Sequence, residues 1–229
     1  DAFRDFRNRI ERDDNTWKNL VSKADQQFRR LRENNLKPGK CENVGFAVAP
    51  FLFTWNFQRF KEYFKNREDF DLEQYFTELG EFLESKKGKL EFFRTRELVV
   101  DRIEEEKVEE IFKEINTKLR ELGMRRKQRQ NEPVGTIKLL HLFAPYYFPL
   151  IDNKIAKATG LLRDKQKKSI ESTDYIRWMN KLKDWLQNYD VIDKLQNKFN
   201  SSILKLVDEC LYLMCSVKLC KIAELGLKM

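Results

Sequence analysis

The chain has 229 residues, 41% of them hydrophobic and 36% charged, with a formal net charge of +8. That balance describes a folded domain with a charged surface and excludes a disordered chain; eighteen Phe and four Trp supply the apolar area of a core. Eight Gly and five Pro are too few for a many-turned β protein, and no uncharged run is long and unbroken enough to span a bilayer.

Residues 1–36 carry Phe3, Phe6, Ile10, Trp17, Leu20, Val21 and Phe28 near helical spacing among many charges, until Asn34, Asn35, Pro38 and Gly39 break the pattern. The first half of 44–65 is apolar on all sides, as deep core is, and Pro50 starts or kinks a helix there. Trp55 in this stretch, with Phe57 and Phe60, either lines a cavity or packs in the core. Residues 71–85 predict an amphipathic helix with Leu72, Tyr75, Phe76, Leu79 and Phe82 on one face, stopped by Lys86, Lys87 and Gly88. The segment 90–98 reads as extended or as a single turn. Residues 99–122 predict a long helix, acidic at its start and basic at its end as the macrodipole favours, with Gly123 as its cap.

Residues 124–133 hold the densest basic run, with Arg125, Arg126, Lys127 and Arg129; it is either a solvated loop or a grip on phosphates. An apolar helix over 136–144, an aromatic turn bracketed by Pro145 and Pro149, and a second helix opened by Asp152 follow. Asp152 is a preferred N-cap type, and Lys138 and His141, three apart, share one helix face. After a basic connector at 163–172, Thr173 or Asp174 caps a helix over 175–189, and a last helix covers 201–225. There is no internal repeat and no sustained period-two alternation. The expected fold is all-α, with an N-terminal helical region (1–123) packed on a C-terminal helical bundle (134–229) in one compact unit.

Several chemistries lack material. One His is too few for a His-based zinc site or a Ser–His–Asp triad, there is no GxGxxG or other glycine-rich phosphate loop, and no ExxH pair serves a di-iron bundle. Cys210, Cys215 and Cys220 lie on one helix at a spacing of five that no common metal motif uses; with Cys41 they read as buried thiols in a reducing compartment. No metal or cofactor is expected. The charged start carries no secretory pattern, so a soluble, cytoplasmic protein without a membrane partner is expected.

What remains is the constellation of Lys138, His141 and Asp152. The run VGTIKLLHLFAPYYFPLIDNKIAKATGL resembles the signature of helix-hairpin-helix DNA glycosylases. In that family a glycine-containing hairpin opens a helix bearing a lysine, and a Pro-x-Asp segment sets a carboxylate at the start of the next helix. The resemblance implies that Gly135 belongs to the hairpin, Lys138 is the amine nucleophile and Asp152 is the catalytic carboxylate. It implies that Ile155 and Ala158 are the buried face of the following helix, which ends at Gly160 and Leu161. The match covers about an eighth of the chain, with one hairpin glycine and a lysine 14 residues before the aspartate, about one helical turn closer than in the family.

The residues themselves suit that chemistry. A lysine on an apolar helix loses solvation, which lowers its pKa and frees the amine. Asp152 would stabilise the cationic sugar as the base leaves, or deprotonate the attacker. Trp55, Tyr146 and Tyr147, with Phe148, are candidates to stack on an extruded base; His141 would line the pocket; Arg125, Arg126 and the backbone at Gly135 would hold phosphates. The implied partner is duplex DNA with a damaged base. Two other readings stay open: a non-catalytic nucleic-acid-binding helical protein, and a helical scaffold whose positive charge is incidental. In both, Asp152 is simply a helix cap.

Overall fold

Asp71 opens the first helix with described bounds, α1 (Leu72–Ser85): its carboxylate accepts from the Gln74 N–H at 3.0 Å. The computed structural model describes residues 70–123, 132–162, 169–187 and 202–217, with Val48, Leu52, Phe60 and Tyr63. After α1 come α2 (Lys87–Arg94), α3 (Glu105–Gly123), α4 (Pro133–Phe143), α5 (Asn153–Ala158), α6 (Ser172–Leu186) and α7 (Ile203–Val217). Seven helices and no strand occur among the described residues, so the chain is all-α as expected. The expected helices over 1–36 lie outside them, as do the basic run after Gly123 and the connector at 163–168.

By its internal contacts the chain divides into two units, residues 1–87 with 118–130, and residues 88–117 with 131–229. The first is built on aromatic packing. The rings of Phe60, Tyr63, Phe70, Tyr75 and Phe76 lie 5.0–6.3 Å apart by centroid, mostly edge-on or tilted, the favourable geometry for such rings. Gly123, at the end of α3, has a steric role. A Cβ there would collide with the Tyr63 ring and hydroxyl, and its backbone is not left-handed, Gly160 alone being so among the described glycines. Lys118 reaches Glu78 at 3.5 Å, and a concavity of about 220 Å³ lies among Phe70, Asp71, Gln74, Tyr75, Glu78, Glu121 and Leu122.

The second unit is organised by the turn after α4. Tyr147 and Phe148 are fully buried and pack on Phe93 of α2 at 5.1 and 4.8 Å. The Tyr147 hydroxyl accepts from the Glu104 N–H at 3.0 Å and donates to the Arg102 carbonyl at 3.2 Å. This sets where α3 starts. The expected helix from 99 begins instead at Glu105, because 97–104 form a loop. There the Asp101 carboxylate accepts from the Glu97 N–H at 2.7 Å, and Tyr147 takes the backbone bonds of 102 and 104. The segment 90–98, expected extended or as one turn, is helical to Arg94: Leu90 and Phe93, one turn apart, are both buried, and Gly88 stands in open space where it breaks nothing.

Helix α6 is fastened along one side of the 99–109 region. Lys183 donates to the Asp101 carbonyl, Gln187 to Val99 at 3.0 Å, Asn180 to Glu105 at 3.0 Å and Ser172 to Glu109 at 3.2 Å. Its N-cap is Glu171, ahead of both Thr173 and Asp174, the expected caps. Asp174 takes part from inside the first turn, where its carboxylate accepts from the Glu171 N–H at 3.0 Å. Helix α4 likewise starts early, at Pro133, whose missing N–H costs nothing at a first helical position. Cys210, expected buried, is exposed on α7. No helix among the described residues is long and apolar enough to cross a membrane.

Candidate functional site

Lys138 and His141 stand one turn apart on α4, whose other residues from 135 to 140 are all buried. Lys138 is itself only partly exposed. Burial lowers its pKa from 10.5 to about 8, against the pull of Asp152 and Asp208, with Lys205 adding to the fall.

His141 is 5% exposed, and burial lowers its pKa too, leaving a neutral ring at neutral pH. Its Nδ1 lies 2.8 Å from the Phe148 carbonyl; a carbonyl only accepts, so Nδ1 carries the proton and Nε2 keeps a lone pair. The ring thereby ties α4 to the turn that ends in Pro149.

Asp152 is the N-cap of α5. Its Oδ1 accepts from the Ile155 N–H at 2.8 Å, and its backbone is extended, as a cap requires. The residue is partly exposed. Helix α5 closes at the other end through Gly160, at φ 79°, with the Gly160 N–H on the Lys157 carbonyl at 3.2 Å and the Leu162 N–H on Ala156 at 3.1 Å. Its buried face is Ile155 and Ala156; Ala158, expected inside, is exposed. The Asn153 Oδ1, next to Asp152, is buried with no hydrogen-bond partner among the described residues.

The remaining expected site residues distribute differently. Tyr146 is 48% exposed at the tip of the turn, available to a ligand. Tyr147 is sealed in the core with its hydroxyl on the backbone, and burial raises its pKa. Gly135 is the third residue of α4, within the helix and not in a hairpin before it. Trp55, Arg125 and Arg126 lie outside the described residues.

No family model, curated protein or solved structure matches the chain. The site therefore rests on its own residues. Sequence reasoning missed two of them. Lys205 and Asp208 of α7 join at 3.0 Å, and their charges act on both Lys138 and His141. Helix α7 packs on α5, the helix that Asp152 caps. The available signal was a Lys and an Asp three apart within a stretch whose Ile203, Leu204, Val207 and Leu211 are buried.

Proposed function

We propose that the chain is a base-excision DNA glycosylase with lyase activity, acting through Asp152 and Lys138. The observation that carries this reading is a lysine whose pKa falls to about 8 within the electrostatic reach of a helix-capping carboxylate. The Lys138 amine attacks C1′ of the deoxyribose, and the C1′–N bond breaks with its electron pair leaving on the base, which takes up a proton. The amine, now bonded to C1′, loses a proton; its lone pair opens the C1′–O4′ bond, the ring oxygen takes up a proton and a protonated Schiff base results; loss of a C2′ proton with departure of the 3′ phosphate then cleaves the strand. Asp152 stabilises the cationic sugar as the base departs. Tyr146, exposed at the turn, is an aromatic side chain available to stack on the extruded base, and the net charge of +8 suits a polyanionic partner.

The test is incubation of the full chain with duplex oligonucleotides carrying uracil, an oxidised purine, an alkylated base or an abasic site. Expected are base release or nicking on at least one duplex, and a covalent adduct under borohydride that Lys138→Gln abolishes. Binding with no product and no adduct on any duplex overturns the enzymatic reading. It leaves the reading of a non-catalytic nucleic-acid-binding protein, in which Asp152 serves as a helix cap.

A further inference from the structure

Among the described residues three large apolar side chains are exposed, and two of them lie side by side. Val100 is 75% exposed at the crown of the 97–104 loop, and Tyr146 is 48% exposed on the turn after α4. The Leu98 N–H donates to the Tyr146 carbonyl at 2.9 Å and joins the two segments, with Val99 and Pro145 partly exposed next to them. The loop beneath is held from several sides. Tyr147 takes the backbone of 102 and 104, Lys183 and Gln187 of α6 donate to the carbonyls of Asp101 and Val99, and the Asp101 carboxylate accepts from the Glu97 N–H. Docking on a loop already fixed costs little conformational entropy. An apolar strip left in water on so rigid a support marks a contact surface.

The charges around the strip say what covers it. Four charged side chains lie between 97 and 104. Asp101 and Glu104 both face Arg96, at 3.9 and 3.8 Å. Glu97, three residues before Val100, and Arg102, two after it, are exposed and form no ion pair among the described residues. One unpaired charge of each sign therefore flanks the same apolar crown. A partner of uniform charge, such as nucleic acid, satisfies only one of them. A second copy related by a two-fold axis satisfies both, because Glu97 of each copy then meets Arg102 of the other.

We propose that Val100 and Tyr146 form the centre of a two-fold contact between two copies of this chain, with Glu97 and Arg102 exchanged across it to set the register. Apolar burial drives the association; the exposed ion pairs add little strength and select the orientation. The contact is small, so the dimer is a weak one. The inference stands apart from the proposed activity. The dimer covers Tyr146, so it excludes stacking of that ring on a base.

The test is sedimentation equilibrium of the full chain without DNA, from about 5 to 500 µM. The native chain passes from monomer toward dimer over this range. Val100→Ser weakens the dimer about 10-fold or more. Glu97→Arg and Arg102→Glu each weaken it about 3- to 10-fold, since each sets like charges opposite one another. Neither of these side chains bonds within the described fold, where only the backbone of 97 and 102 is used, so the swaps leave the monomer folded. Mixed in equal amounts, the two swapped variants pair with each other more tightly than either pairs with itself, because both ion pairs are then restored. A monomer at every concentration, a dimer indifferent to Val100→Ser, or swapped variants that do not recover on mixing overturns the proposal. DNA is absent throughout, so absence of glycosylase product and failure of this inference are separate results.

Discussion

Lys138 links stability to pH with a definite sign. Its folded pKa, about 8, lies below the ordinary 10.5, so between those values the unfolded chain holds a proton that the folded one has released. Stability contributed at this position is therefore absent at neutral pH and grows as pH rises from about 8 toward 10.5. Lys138→Met removes this rise and stabilises the protein at pH 7 by about 1–3 kcal/mol, measured by urea denaturation at pH 7 and pH 10. A second residue-scale prediction concerns Tyr147. Tyr147→Phe leaves the Glu104 N–H without its partner and the Arg102 carbonyl without its donor, at a cost of about 1–2 kcal/mol in the same assay, with the ring packing on Phe93 retained.

Among the elements, α5 offers a way to separate the two roles of Asp152. Asp152→Asn and Asp152→Ser keep a side-chain oxygen for the Ile155 N–H, and Asp152→Ala does not. The alanine variant loses about 1 kcal/mol of stability in thermal unfolding, whereas the other two lose a few tenths. On the proposed function all three lose base excision. Activity that survives in the Asn variant and falls only with stability reduces Asp152 to a cap. The end of α3 gives a steric test: Gly123→Ala forces the buried Tyr63 ring to move and destabilises by about 1–3 kcal/mol, and the cost shrinks when Tyr63→Leu is added.

The Asp152 cap was legible in the sequence because a cap is local: the residue and the amide it binds are three apart. The helix after Asp71 was legible from its apolar period over 72–83, although Asp71 itself proves to be its cap and not its first residue. The start of α3 was not legible, because it depends on a tyrosine hydroxyl 43 residues along the chain. Helix α2 was hidden by Gly88, which reads as a stop signal yet lies where nothing crowds it. In the site, Lys138, His141 and Asp152 fall within one short stretch and could be grouped by spacing alone. Lys205 and Asp208 could not, since they sit on α7, far along the chain from that stretch.

At the scale of the whole molecule, a formal charge of +8 predicts that any DNA binding weakens steeply with salt. Arg125→Ser with Arg126→Ser should lower the slope of log affinity against log salt by about 2 if both arginines meet phosphates, measured by fluorescence anisotropy from 50 to 300 mM salt. An unchanged slope assigns DNA binding, if present, to other basic residues. The division into two units adds a constraint of chain order: the first unit draws on 1–87 and on 118–130, so no single cut of the backbone yields it whole.

Gly160 carries a consequence for the carboxylate eight residues before it. Helix α5 is only six residues long, so its orientation is fixed by its two ends more than by its own ladder of bonds. With φ at 79°, an alanine at Gly160 would be strained and would loosen the far anchor. Asp152 would then be free to tilt although nothing beside it had changed. Gly160→Ala is thus a remote handle on the acid, one that alters aim while leaving charge, cap and neighbours chemically intact.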